Sequence, residues 1–169
     1  FWAFAWAGGQ ALARYVLDNP HIVANRRVLD LGAGGAISAI AAAKAGAAYV
    51  MASEVDEFAL SAIALNAAAN GVMVVTLDGD HLDASVEADV ILVGDMFYER
   101  ELAERTLAFL RRAADAGATV LVGDPSRTYL PREALSRLHE YQVETPRTLE
   151  DSDVKPTTVW QLLGKQAAG

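Results

Sequence analysis

Two groups of residues in this 169-residue chain carry functional groups at spacings that could support chemistry. The first is Val28-Leu29-Asp30-Leu31-Gly32-Ala33-Gly34-Gly35-Ala36, an apolar run, an acid, and a glycine-rich turn that opens a helix of small residues. Gly32 and Gly34 lack a Cβ and tolerate positive φ, so the backbone there can come close to a ligand. The helix from Ile37 to Lys44 directs its amide N–H groups and positive dipole end at the same place. Glu54 stands at the end of the next strand, 24 positions after Asp30. A carboxylate there can accept both hydroxyl hydrogens of a ribose, whereas alone it would be a solvated loop acid; after a glycine turn at this spacing the ribose reading is favoured. The second group is Gly94-Asp95-Met96-Phe97-Tyr98. Its carboxylate suits a cationic amine, and its phenol can wall a channel with the ring and hydrogen-bond through the hydroxyl. In a purely structural role, Asp95 would cap a helix starting near Glu99 and the three residues after it would pack in the core.

Alternating elements can position these groups. An amphipathic helix is expected from Gly9 to Asp18, stopped by Asn19-Pro20. Strands are expected at Arg27–Leu31, Ala48–Glu54, Val72–Leu77, Asp89–Gly94 and Thr119–Gly123. Helices are expected at Ala36–Ala45, Glu57–Asn70, Glu99–Ala114 and near Arg132–His139, with Asp56 a cap for the second of these. An acid-rich link, Asp78 to Glu87, joins the third and fourth strands. Tyr141–Leu149 and Thr157–Leu163 read as a terminal hairpin, and the tail Gly164–Gly169 as frayed. The pattern is α/β, one domain over residues 1–169, without internal repeat or linker.

Composition narrows the function. With 53% apolar residues the chain can bury a sizeable core. It has no cysteine, so it has no disulfide, thiolate metal site or cysteine nucleophile. His21, His81 and His139 lack metal-ligand spacing, and no metal is expected. A net charge of −8 argues against nucleic acid as the main partner and favours a basic one. No apolar stretch reaches membrane-spanning length. The chain opens at Phe1 without Met, so a preceding segment is expected.

A dinucleotide site would want a small residue at position 37, where Ile37 stands, so that fit is poor. The acid-x-Gly-x-Gly-x-Gly pattern fits better: Asp30, Gly32 and Gly34 match, with Ala36 in place of the last glycine. Here the chain resembles the class I S-adenosylmethionine-dependent methyltransferases. That resemblance implies a Rossmann-like, seven-stranded, mostly parallel sheet in the order 3-2-1-4-5-7-6, with helices on both faces and one reversed strand. Base- and amide-methylating members usually carry Asn-Pro-Pro-Tyr after strand four. Asp95 to Tyr98 instead resembles the Asp/Glu-x-x-Tyr/Phe motif of the protein lysine methyltransferases. Phe1-Trp2-Ala3, Trp6 to Tyr15 with its Gly8-Gly9-Gln10, Gly94 to Tyr98, Val122-Gly123-Asp124-Pro125 and Thr158-Val159-Trp160 look most like the electron transfer flavoprotein β-subunit lysine methyltransferases.

From that resemblance follow the expected roles. S-adenosyl-L-methionine is the cofactor, leaving as S-adenosyl-L-homocysteine. Trp6, Asp30, Gly32, Gly34, Glu54, Asp80, His81 and Gly94 are expected to bind it, with Asp80 toward the adenine amino group and His81 flanking the ring. Asp80 is equally readable as a solvated loop acid, and Trp2 and Trp6 as a lid or as packing aromatics. Gly8 and Gly9 either approach the methionine carboxylate or begin the helix. Asp95 and Tyr98 are the catalytic candidates. Arg127 and Lys155 lie in loops at the substrate rim, with no specific role expected.

Attack on a sulfonium methyl needs a neutral amine, and for a lysine of reference pKa ~10.4 reaching that form at neutral pH costs about 4 kcal/mol. A dry aromatic slot and the sulfonium charge disfavour the ammonium, whereas a bare Asp95 carboxylate favours it. Asp95 is therefore expected to recognise and orient the amine, with late receipt of its proton as a further role, rather than act as a strong base. The expected acceptor is the electron transfer flavoprotein β subunit. A ribosomal protein or small amine is the alternative, and a non-catalytic binding protein the least supported. A monomer is expected, in the cytoplasm of a bacterium or in the mitochondrial matrix of a eukaryote.

Overall fold

The computed structural model describes residues 3–146 and 153–164. Its elements in chain order are α1 (Ala7–Asp18), β1 (Arg27–Leu31), α2 (Ile37–Lys44), β2 (Tyr49–Glu54), α3 (Glu57–Ala69), β3 (Val75–Asp78), β4 (Val90–Gly94), α4 (Arg100–Asp115), β5 (Thr119–Asp124), β6 (Leu135–Glu144) and β7 (Val154–Leu162). One seven-stranded sheet runs β3-β2-β1-β4-β5-β7-β6. β1 to β5 are parallel neighbours, and β7 lies antiparallel to both β5 and β6. This is the order and the single reversal that the resemblance implied.

The central strands are apolar on both faces because helices cover both. Val28, Leu29, Val90, Ile91, Leu92 and Val93 are all fully buried, as a parallel sheet sandwiched between helices requires. One core layer joins α1 and α2 to the sheet through Leu12, Val16, Ala39 and Ala42; the other joins α4 through Phe109 and Leu110. The small residues of α2 allow it to lie close to α1. Asp56 caps α3 by accepting from the amides of Phe58 and Ala59, as the sequence suggested. Among the described residues no helix is long and apolar enough to cross a membrane.

The end of the sheet departs from expectation. No helix forms over Arg132–His139: a single 3-10 turn, Arg132–Ala134, leads directly into β6. Leu135 and Leu138 mimic a helical i, i+3 pair, but Pro131 sets the entry and the ladder to β7 captures the backbone from Leu135 onward, with an irregularity between Arg137 and His139. The hairpin is present, but β6 ends at Glu144 rather than Leu149, which lies outside the described residues, and β7 begins earlier, at Val154. Lys155 is therefore a strand residue. Pro156 is tolerated because β5 reaches only Thr158 to Gln161 of β7, so the proline sits where that strand has a neighbour on one side. β3 begins at Val75 rather than Val72.

The backbone of α1 lies close against the ends of β4 and β5. A Cβ on Gly123 would collide with the carbonyl oxygen of Gly8, and one on Gly94 would lie 2.9 Å from the Gly9 nitrogen. Gly123→Ala should therefore destabilise the protein by about 2 kcal/mol, through forced displacement of α1. Urea unfolding checks this, and an unchanged midpoint contradicts the packing described.

Candidate functional site

All ten residues singled out for cofactor or catalysis lie at the carboxyl end of the parallel strands. There β1 sits between β2 and β4, where the chain reverses its direction of winding. Two adjoining cavities open at this place. The larger, about 680 Å³, is lined by Glu54, Asp80, His81, Tyr98 and Arg127 among others. The smaller, about 360 Å³, is lined by Asp30, Ile37, Ser38 and the aromatics of the amino-terminal segment. Trp6, Gly32, Gly34, Gly94 and Asp95 line both. Trp2 lies outside the described residues.

The turn after β1 is built as its composition demands. Gly32 and Gly34 have φ of +65° and +55°. A Cβ on Gly32 would lie 2.5 Å from the Met96 sulfur, so the turn and the segment after β4 are in contact. Ala36 also has positive φ, +67°, at the position where the family pattern has its last glycine. Asp30 is 4% exposed, and its carboxylate accepts from the Ala39 amide at 3.0 Å, capping α2 from β1. Burial, opposed by that hydrogen bond and helped by Glu54, pushes Asp30 up to about 7.

Glu54 binds the turn itself. One carboxylate oxygen accepts from the Gly34 amide at 2.7 Å and the other from the amides of Val55 and Asp56. Its orientation is thus fixed from both sides, facing the larger cavity. Asp80 accepts from the Leu82 amide and from Arg105 at 2.8 Å, and these partners hold it below its ordinary range. His81 contacts the Asp78 carbonyl oxygen at 3.0 Å. Among the described residues no cluster of histidines and acids could hold a metal.

At the end of β4 the structural alternative for Asp95 does not hold: Glu99 caps α4, accepting from Glu101 and Leu102. Asp95 caps a different helix. Its two oxygens accept from the amides of Gly8 and Gly9, both at 3.1 Å, in the first turn of α1. Those glycines therefore begin the helix, and their N–H groups are taken by Asp95. Asp95 itself has φ +60°, an unfavourable conformation for an L-residue that turns the carboxylate back toward α1. Phe97 is fully buried in the core, whereas Tyr98 is 62% exposed on the wall of the larger cavity.

Arg127, from the loop after β5, completes the cluster. Its Nε and Nη2 donate to Asp95 Oδ1 at 3.1 and 2.7 Å, and its guanidinium lies 5.6 Å from the Trp6 ring centroid. Burial raises Asp95 above its ordinary range, and Arg127, then the two amides, pull against it. Beneath them, Asp124 accepts from the Arg127 amide at 2.6 Å while its other oxygen is buried without a hydrogen-bond partner among the described residues. Burial pushes Asp124 up to about 6. The sequence alone gives Arg127 no specific role and leaves Asp124 unassigned. The one signal is strand order: β4 and β5 are neighbours, which brings the loop after β5 near the residue that follows β4.

The residues present fit an adenosylated sulfonium donor. A fixed carboxylate, Glu54, faces the larger cavity, and the glycine turn, whose Gly32 and Gly34 have positive φ, lines both cavities. The cavity volumes are those of small-molecule sites.

Comparison with known proteins agrees. The family model described as ribosomal protein L11 methyltransferase (PrmA) matches residues 10–112. The Xenopus laevis protein named electron transfer flavoprotein beta subunit lysine methyltransferase is 38% identical over 95% of this chain and 68% of its own length. Across the vertebrate relatives of that name the chain spans 64–68% of their length, about two thirds. The crystal structure of ribosomal protein L11 methylase from Lactobacillus delbrueckii subsp. bulgaricus has a similar fold, with a TM-score of 0.67 at 18% identity over 94% of this chain and 80% of that one. The Pyrococcus abyssi tRNA (uracil-54, C5)-methyltransferase, solved with S-adenosyl-L-homocysteine, gives 0.66 at 18% identity over 91% and 38%.

The buried acid after the glycine turn yields a test. Asp30 holds its proton more tightly when folded, so its contribution to stability is full below the unfolded pKa of ~4 and is lost as pH rises through about 7. Asp30→Asn keeps an acceptor for Ala39 and removes the charge, so the variant should gain stability relative to the original protein between pH ~4 and ~7. Parallel urea-unfolding curves across that range would contradict the assignment.

The glycine turn, the acid closing β2 and the strand order agree with sequence similarity over nearly the whole chain: the protein belongs to the PrmA methyltransferase family and to the family of the electron transfer flavoprotein beta subunit lysine methyltransferases.

Proposed function

We propose that this chain carries the methyl-transfer domain of a protein lysine N-methyltransferase that uses S-adenosyl-L-methionine and acts on the electron transfer flavoprotein β subunit. When bound, that cofactor supplies an electrophilic methyl group on a positively charged sulfur. Glu54 would hold the ribose hydroxyls, with Asp80 and His81 beside the adenine and Asp30, Gly32, Gly34, Trp6 and Gly94 around the amino-acid end. The observation that carries the reading is the place of Asp95. It lines both cavities and stands beside an exposed phenol, so an amine entering along Tyr98 meets a carboxylate where the two spaces join.

The work left to the protein is to hold a lysine nitrogen in line with its lone pair free, and most of the rate comes from that positioning. Tyr98 offers a ring face that suits alkylated ammonium groups, and its exposure leaves the entrance accessible to a side chain on another protein. A small amine would be better served by an enclosed slot. The names of the relatives supply the acceptor, and the family model supplies the competing one, ribosomal protein L11.

The test is incubation with S-adenosyl-L-methionine and either purified electron transfer flavoprotein or L11, with lysine methylation read by peptide mass spectrometry. Methyl-mass increments on lysines of the flavoprotein β subunit are expected, and Glu54→Gln should lower cofactor affinity by about tenfold through lost charge-assisted bonds. Methylation of L11 alone would overturn the proposed acceptor, and absence of methylation on either would overturn the activity.

A further inference from the structure

The contacts of Asp95 are unevenly divided. Oδ1 accepts from the Gly8 amide and from both Nε and Nη2 of Arg127, whereas Oδ2 accepts from the Gly9 amide. A carboxylate offers about four acceptor positions over two oxygens, so Oδ2 is the oxygen with capacity for a further donor. The ion pair itself is largely shielded, with side-chain exposures of 17% for Arg127 and 11% for Asp95. An amine reaching Asp95 therefore meets a carboxylate already paired with a guanidinium.

We infer that Arg127 is a positioning residue for the acceptor: by neutralising Asp95 it makes that carboxylate a hydrogen-bond acceptor for a neutral amine instead of a trap for the ammonium. This rests on the lysine methyltransferase reading above. A lone carboxylate beside the amine would hold the proton on nitrogen and occupy the lone pair that must attack. The pair with Arg127 removes the net charge but keeps an oxygen to orient an N–H. The guanidinium also repels a second cation, so the ammonium releases its proton to water on entering. Trp6 lies against the guanidinium and helps hold it in place.

Other ionisable groups face the same space. Asp124 lies under Arg127 on β5, and Tyr98 stands on the cavity wall. Glu54, Asp56, Asp80 and His81 line the larger cavity, and Asp30 the smaller. All remain when Arg127 alone is changed, and Asp124 keeps its bond because it is made to a backbone amide. A difference between two pH profiles therefore reads the guanidinium.

The experiment is the pH dependence of kcat for methylation of the acceptor protein at saturating substrates, in the original protein, Arg127→Gln and Arg127→Lys. The acid limb marks loss of the amine proton in the bound complex. Arg127→Gln should move that limb upward by about one pH unit or more. Arg127→Lys, which keeps the charge but not the two-nitrogen geometry, should lower kcat with its limb near the original position. Coincident limbs for the original protein and Arg127→Gln overturn the inference, as do equal shifts in both variants. Should Arg127→Gln fail to fold, the unaltered protein still decides: an acid limb at the value of free lysine overturns it. An original protein that methylates no lysine refutes the earlier reading instead, so the two failures are distinguishable.

Discussion

The carboxylate of Asp95 holds three separate parts of the chain together. It caps α1 through Gly8 and Gly9, it pairs with Arg127 from the loop after β5, and its own residue directly follows β4. The amide of Asp95 also donates to the Gly123 carbonyl at 3.1 Å, so the same residue ties β4 to β5. Without these bonds the first turn of α1 would present unsatisfied N–H groups at the bottom of the cleft, and the close α1–β4–β5 packing would lose its lock. The positive φ at Asp95 is a conformational cost of roughly 1–2 kcal/mol set against those bonds.

On the proposed function, the same geometry lets a cationic donor and a cationic acceptor meet inside an acidic protein without simply being trapped as cations. Four carboxylates at the carboxyl end of the sheet are each tied to a donor. Asp30 is bonded to Ala39, Glu54 to the glycine turn, Asp80 to Arg105 and Asp95 to Arg127. These acids are oriented acceptors rather than loose charges, and orientation is what an in-line transfer requires.

Most of the architecture was legible in the residues. The Val/Leu runs, the glycine turn and the Asp56 cap marked strands and helices where they occur, because local pattern and tertiary burial agree there. β6 was not legible: its Leu135/Leu138 spacing is helical, and only the ladder offered by β7 decides in favour of strand. In the candidate site, the conformation of Gly32 and Gly34 and the placement of Glu54 at the strand end were readable because a tight turn and a strand terminus each favour a particular residue type. The capping of α1 by Asp95 was not, since its partners lie more than eighty positions away in sequence. Arg127 was hidden for a related reason. An arginine after a strand looks like any surface cation until strand order sets it beside the acid of the neighbouring loop.

The central claim is spatial: the methyl donor lies across the glycine turn after β1, with its transferable carbon toward Asp95 and Tyr98. A crystal structure with S-adenosyl-L-homocysteine bound tests it most directly. The account predicts ribose hydroxyls on Glu54, the amino-acid end against the glycine turn, and the sulfur facing the junction of the two cavities beside Asp95. A ligand seated away from that turn, or a sulfur directed away from Asp95, would contradict it.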